Sequence, residues 1–130
     1  MSTNYYWTRV LGFTGFKHDE LHIGKSSSGW CFALRVYPEH GIYDLKDWER
    51  TWAVTGSMIF DEYGSTVTTE EMRRYVTNRI AVHQGFDEDF LRRNYAEPGP
   101  LGLLRHRISN ENGCVGHGIG TWDCVIGDFS

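Results

Sequence analysis

Segment 30–37 constrains the fold of this chain more than any other feature, because large apolar side chains occupy every second position in it. Successive side chains of an extended strand point to opposite sides, so these apolar side chains would share one face. They are Trp30, Phe32, Leu34 and Val36. Pro38 has no backbone N–H to offer a sheet and ends the strand. A strand with one apolar face needs neighbours, and we therefore expect a sheet in the N-terminal half.

Two earlier segments are predicted to supply those neighbours. The first strand runs over residues 5–10, and residues 11–16, with two glycines, are typical of a turn or loop. A second strand begins at residues 21–23. The segment 24–29 is rich in glycine and serine, and we interpret it as the turn that leads into the strand at Trp30. The N-terminal half is thus predicted to be a small antiparallel sheet.

Helical spacing follows in the middle of the chain. Asp44 is suited to cap a short helix in which Leu45, Trp48 and Trp52 recur every three or four residues. Gly56 stands where a helix commonly stops. The two tryptophans are predicted to dock this helix on the sheet.

A second helix is predicted directly after a hairpin. In the hairpin, residues 58–60 and 65–67 flank the turn-forming segment 61–64. Thr68 and Glu71 then form a capping box, in which each side chain can bond the backbone N–H of the other residue. An apolar stripe follows at helical spacing, made of Met72, Tyr75, Val76 and Ile80.

The C-terminal part completes the prediction of the fold. Segment 86–93 runs from acidic to basic, as the helix dipole favours, and is predicted to be a third helix that segment 97–100 ends. Residues 103–108 and 122–126 are predicted to form a late hairpin, joined by a glycine-rich segment. We therefore expect the α+β class, with two or three helices packed on a small antiparallel sheet in a single domain, residues 1–130.

The composition disfavours several classes of function. A formal net charge of −4 repels phosphate backbones, so a general nucleic-acid binder is not expected. Neither a basic leader nor a long apolar run is present, and we expect no membrane association. Three cysteines without a Cys-x-x-Cys pair fit buried thiols in a reducing cytosol. Aromatic residues make up 15% of the chain, enough for some to line a recognition surface.

The tripeptide Gly24-Lys25-Ser26 resembles part of a phosphate-binding P-loop, but the fingerprint fails. Its leading glycine would stand where the chain has Asp19, and the loop would have to open a helix rather than a strand. Two interpretations stay open, a plain polar turn and a small site for an anion or another ligand. The residues of that site would be His22, Lys25, Ser26, Ser27, Trp30, Arg35 and Trp122.

The histidines and cysteines permit a metal site without requiring one. Cys114 and His117 form a tight mixed pair that His22 could join, whereas zinc needs about four converging ligands. Buried thiols and hydrogen-bonded histidines are the alternative interpretation. Cys114 is also the best candidate nucleophile, but nothing in the sequence marks its thiol as activated. No catalytic residue is therefore assigned, and enzyme activity is not expected.

Three stretches resemble a family of small, mostly uncharacterised proteins carried by bacteriophages and prophages. They are residues 21–34, with His-Ile-Gly-Lys-Ser-Ser-Ser-Gly-Trp at the centre, residues 59–64 ahead of the capped helix, and residues 127–130. His22 matches a position in that family. Many members resemble each other in having a cysteine knuckle just before this stretch, and this chain has residues 10–16 there instead. The resemblance implies a phage origin and the cytoplasm of a host bacterium as the location.

The leading functional hypothesis is a non-enzymatic phage accessory protein that binds a bacterial host protein, in host takeover or in anti-defence. The first alternative is a protein that binds or sequesters a small ligand, such as a nucleotide, through the residues around Lys25. The second is a small structural protein that binds zinc through His22, Cys114 and His117. No other cofactor is expected. Origin cannot replace a site in deciding among them.

Overall fold

Eight strands and three helices account for most of the residues that the computed structural model describes, which are 2–11, 16–27, 32–77, 88–93, 96–98, 104–106 and 121–127. In chain order, the strands are β1 (Ser2–Leu11), β2 (Phe16–Ser27), β3 (Phe32–Val36), β4 (Ser57–Asp61), β5 (Thr66–Val67), β6 (Ala96–Pro98), β7 (Leu104–His106) and β8 (Thr121–Ile126). The helices are α1 (Leu45–Trp52), α2 (Thr69–Thr77) and α3 (Glu88–Arg93). The predicted α+β class is confirmed.

All eight strands belong to one sheet, in the order β5-β4-β1-β2-β3-β8-β7-β6. Most neighbours are antiparallel, but β8 runs parallel to both β3 and β7. The sheet is therefore mixed, and the predicted late hairpin is wrong, since β7 and β8 point the same way. A parallel pair needs a crossover connection, and the glycine-rich segment before β8 carries no pattern that distinguishes a crossover from a turn.

Strand β2 is longer than predicted. The turn expected at residues 24–29 is wrong for its first four residues, because the strand continues through Ser27. Along this stretch Gly24 pairs with Tyr5, and Ser27 pairs with Ser2 at the start of β1. Small and polar residues, which resemble a turn in the sequence, are held here in an extended conformation by β1 and, at Gly24 and Lys25, also by β3.

Helix α1 begins as predicted and ends earlier than predicted. The Asp44 carboxylate accepts a hydrogen bond from the backbone N–H of Asp47 at 3.0 Å, so Asp44 is the N-cap. The helix stops at Trp52, not at Gly56. Gly56 has φ +88°, and an added Cβ there would lie 2.5 Å from the Val10 carbonyl oxygen. Gly56 therefore allows the chain to pass close to β1 before β4 begins.

The capping box of α2 is confirmed. The Thr68 hydroxyl accepts from the backbone N–H of Glu71 at 3.0 Å, and the Glu71 carboxylate accepts from the N–H of Thr68 at 3.1 Å. Hydrogen bonds to the Glu71 carboxyl from the backbone N–H and from the side chain of Thr68 lower the pKa of that carboxyl. Met72 and Val76 are buried and Tyr75 is partly buried, as the apolar stripe predicted, while Ile80 lies outside the described residues.

Helices α1 and α2 lie side by side on one face of the sheet, which we call the core face. Arg73 of α2 donates to the Glu49 carboxylate of α1 at 2.7 Å. Beneath them lies the apolar cluster, which consists of Tyr5, Trp7, Ile23, Phe32, Leu34, Val36, Tyr37, Ile42, Leu45, Trp48, Trp52, Ile59, Met72, Val76, Trp122 and Cys124. The predicted docking of α1 by its two tryptophans is confirmed. The prediction of a buried thiol is confirmed for Cys124.

The C-terminal elements differ in detail from the prediction. Helix α3 covers Glu88–Arg93 of the predicted segment 86–93, whose first two residues lie outside the described residues. Ala96–Pro98 forms β6 at the edge of the sheet, whereas the sequence suggested only a helix end. An edge strand tolerates proline because one of its sides has no partner strand. No helix in the described ranges is long and apolar enough to cross a bilayer.

Replacing Gly24 by alanine is expected to destabilise the protein by about 3 kcal/mol, because the core cannot take the added methyl group. The new Cβ would lie 2.2 Å from the Ala33 carbonyl oxygen and 2.5 Å from a Phe32 ring carbon. Gly41→Ala is the control, since Gly41 has φ +73° and no described atom within 4 Å. It should cost about 1 kcal/mol, from backbone strain alone. Urea unfolding measures both, and equal losses would contradict the prediction.

Candidate functional site

The face of the sheet opposite the core face carries most of the polar side chains of the central strands, and we call it the polar face. Side chains alternate along each strand, and paired residues share a face. Strand register therefore groups Asn4, Tyr6, His22, Lys25, Ser27, Arg35, Phe60 and Asp123 on it. Four of the residues predicted to form a ligand site thus share this face: His22, Lys25, Ser27 and Arg35.

An aromatic row crosses three adjacent strands on the polar face. The ring of Tyr6 on β1 stacks against Phe60 on β4, with centroids 5.6 Å apart and planes inclined by 23°. On its other side Tyr6 meets the His22 imidazole of β2 at 5.3 Å. Tyr6 and Phe60 are only partly buried, so part of this row is open to solvent.

A polar row runs beside the aromatic row. Asn4 pairs with Lys25, Lys25 with Ala33, and Ala33 with Asp123, so these residues form one line across β1, β2, β3 and β8. Its two ends differ in burial: Asn4 is 9% exposed and Lys25 is partly exposed, whereas Ala33 and Asp123 are each 1% exposed. The accessible part of the polar face is therefore the part over β4, β1 and β2.

His22 is fixed in orientation by hydrogen bonds. Its Nε2 lies 2.8 Å from the Asn4 side-chain oxygen, which can only accept, so Nε2 carries the proton. Asn4 is in turn held by Glu62, whose carboxylate accepts from the Asn4 backbone N–H at 2.8 Å. His22 is 9% exposed. The Asn4 amide thus connects the buried imidazole to the exposed carboxylate of Glu62.

The Tyr37 hydroxyl takes the place of a strand beside His22. It accepts from the His22 backbone N–H at 3.0 Å and donates to the His22 carbonyl oxygen at 2.9 Å. Strand β2 pairs with β3 at Gly24 with Leu34 and at Lys25 with Ala33, and His22 lies beyond these pairs. The Tyr37 hydroxyl therefore satisfies both the backbone N–H and the backbone carbonyl of the buried His22.

Arg35, which register places on the polar face, contacts the ring of Tyr37. Its guanidinium lies 4.7 Å from the centroid of the Tyr37 ring, and its backbone carbonyl accepts from the Trp48 indole N–H at 2.7 Å. The arginine is partly exposed. A cation stacked on a fixed ring has little freedom left to lose when it meets an anion.

Two other predicted site residues, Ser26 and Trp122, do not join the polar face. Ser26 pairs with Thr3 at a core-face position, and Trp122 is 1% exposed within the core. Trp30, Cys114 and His117 lie outside the described residues. Among the described residues no three histidine, cysteine or acidic side chains converge as metal ligands, and the zinc hypothesis stays a prediction.

Sequence reasoning missed Asn4, Tyr6 and Phe60. A signal did exist for Tyr6, since Asn4, Tyr6 and Thr8 alternate with Tyr5 and Trp7 along β1. Phe60 joins them only through the pairing of β4 with β1. Comparison of the chain with protein-family models, curated proteins and solved structures gave no match. Conclusions about function therefore rest on this geometry.

Tyr37→Phe is expected to destabilise the protein by about 1–3 kcal/mol, because two buried backbone groups of His22 would lose the hydroxyl that bonds them. Tyr43→Phe is the matched control, since Tyr43 is 48% exposed and its hydroxyl lies 3.5 Å from the Pro38 carbonyl oxygen. The control should change the free energy of unfolding by less than about 0.5 kcal/mol. Urea titration compares them, and a neutral Tyr37→Phe would disprove the bridging role.

Proposed function

We propose that this protein binds a small anionic ligand that contains an aromatic ring, of the nucleotide class, on the accessible part of the polar face. One observation carries the proposal: the partly exposed Lys25 lies in the row directly beside the aromatic row of Phe60, Tyr6 and His22. Neighbouring strands are about 4.8 Å apart, and two residues along a strand span about 7 Å, so the backbones of Lys25 and Tyr6 lie roughly 8 Å apart. A mononucleotide has its base and phosphate on that scale.

Each part of such a ligand has a matching group. A base can pack on the rings of Tyr6 and Phe60, a contact that tolerates different bases because every base has a π face. The phosphate can meet the ammonium of Lys25 and, further along, the guanidinium of Arg35. With a net charge of −4, the chain as a whole repels anions, so an anionic ligand requires local cations of this kind.

Isothermal titration with AMP, a cyclic nucleotide, adenosine and inorganic phosphate tests this proposal. Lys25→Gln is expected to weaken AMP binding at least roughly tenfold while leaving adenosine unchanged, because a charge-assisted hydrogen bond is lost. Tyr6→Leu should weaken both. Lys46→Gln, an exposed position on α1, is the control and should bind as the wild type does. Absence of binding across a panel of adenine and guanine nucleotides would refute the proposal.

The second candidate function is the binding of a bacterial host protein by a phage accessory protein, and the β4–β5 hairpin favours it. Tyr63 at the tip is 68% exposed. The turn below it is rigid, because Asp61 Oδ1 accepts from the backbone N–H groups of Tyr63 and Ser65, both at 2.9 Å. A tyrosine presented on a rigid turn loses little entropy on binding and is a common hot spot.

Affinity capture from lysates of uninfected and phage-infected bacteria tests the second candidate. We expect a specific host protein on the immobilised wild type, reduced at least fivefold on Tyr63→Ala. Tyr43→Ala serves as the control, because Tyr43 is also exposed but lies before α1 rather than at the hairpin tip. Equal recovery on all three proteins, or no specific protein at all, would count against this function.

A further inference from the structure

The Glu62 carboxylate lies beside the β1 end of the polar row, two strands away from Lys25. Glu62 follows β4, and its backbone N–H donates to the Asn4 carbonyl oxygen at 2.9 Å, which places it next to Asn4 of β1. Asn4 in turn pairs with Lys25 of β2. Neighbouring strands are about 4.8 Å apart, so the backbones of Glu62 and Lys25 are separated by roughly 10 Å. The accessible part of the polar face thus has an anion on one side and a cation on the other.

The Glu62 carboxylate is fixed through one of its oxygens. Oε1 accepts from the Asn4 backbone N–H at 2.8 Å and lies 3.5 Å from the Asn4 side-chain nitrogen. The same Asn4 amide bonds His22, whose imidazole contacts Tyr6 in the aromatic row. Glu62 is exposed, and its Oε2 accepts no hydrogen bond from any described residue. The carboxylate is therefore oriented in advance beside the aromatic row and is open to a ligand.

The opposite charges of Glu62 and Lys25 orient an anionic ligand on this face. A phosphate is attracted to Lys25 and repelled by Glu62. A nucleotide whose base packs on Tyr6 and Phe60 would therefore direct its phosphate toward Lys25 and an edge of its base toward Glu62. An ionised carboxylate only accepts hydrogen bonds, so the edge that meets it must carry donors. Stacking alone makes no such selection among bases.

We infer that the protein prefers guanine nucleotides, because the Glu62 carboxylate accepts hydrogen bonds from the N1–H and the 2-amino group of guanine. This inference rests on the proposed function and adds the identity of the base to it. Guanine presents these two donors side by side on its Watson–Crick edge. Adenine has an unprotonated ring nitrogen there, whose lone pair would face the carboxylate. Each carboxylate oxygen has two lone pairs, so Oε1 can serve both Asn4 and the base.

Glu20 provides a matched control on the same face. It pairs with Thr8 and lies two residues before His22 on β2, so it is on the side of the aromatic row away from Lys25. Glu20 is exposed like Glu62, but no hydrogen bond from a described residue fixes its carboxylate. Ordering it against a base would cost side-chain entropy that Glu62 has already lost.

Isothermal titration of the full chain with GMP, IMP and AMP tests the inference. The wild type should bind GMP at least roughly tenfold more tightly than AMP, as hydrogen bonds to a charged group predict. IMP lacks the 2-amino group and should lie between them. Glu62→Gln should bring the affinities for GMP and AMP within about twofold of each other, because its amide replaces one acceptor by a donor. Glu20→Gln should keep the wild-type ratio.

Glu62→Asp keeps the charge but withdraws the carboxylate by one methylene group. It too should lower the ratio of GMP affinity to AMP affinity, and it decides the matter if Glu62→Gln does not fold. Equal affinities of the wild type for GMP and AMP would overturn the inference and leave nucleotide binding intact. An unchanged ratio in Glu62→Gln, or a ratio lost in Glu20→Gln, would also overturn it. Absence of binding for all three nucleotides would refute the proposed function itself.

Discussion

The irregular pairing of β1 with β2 is the constraint on which both faces of the sheet depend. Tyr5 pairs with Gly24 but Tyr6 pairs with His22, so Ile23 is an extra residue in β2. Such a bulge lets two successive residues keep nearly the same side. Ile23 is consequently fully buried in the core beside Gly24, while His22 turns to the polar face. Without the bulge, one half of β2 would present its side chains to the wrong face.

The features that sequence predicted correctly are those that short segments determine by themselves. The alternation in β3, the Asp44 cap and the pair of Thr68 with Glu71 each depend on residues within one element. Trp48 and Trp52 are four positions apart and both buried, since a helix brings such residues to one side. Local patterning therefore predicted most of the elements, the class of the fold and the docking of α1.

Pairing between distant segments determined the rest, and a single sequence does not reveal it. Residues 24–27 have the composition of a turn, yet β1 and β3 hold them in a strand. The parallel placement of β8 depends on a crossover that composition does not show. The candidate site combines Lys25, which the sequence indicated, with Tyr6 and Phe60, which it did not, because register alone brings β4, β1 and β2 together.

The position of β8 has a consequence for the order in which the protein folds. Strands β1, β2 and β3 can pair as soon as they are synthesised, whereas Phe32 of β3 pairs with Trp122, ninety residues later. Closing so long a loop costs chain entropy before any contact compensates for it, and such pairings form slowly. On the ribosome, the β3 edge therefore stays without its final neighbour until residues 121–126 have emerged. A chaperone, or a ligand that holds the first strands, would have its largest effect in that interval.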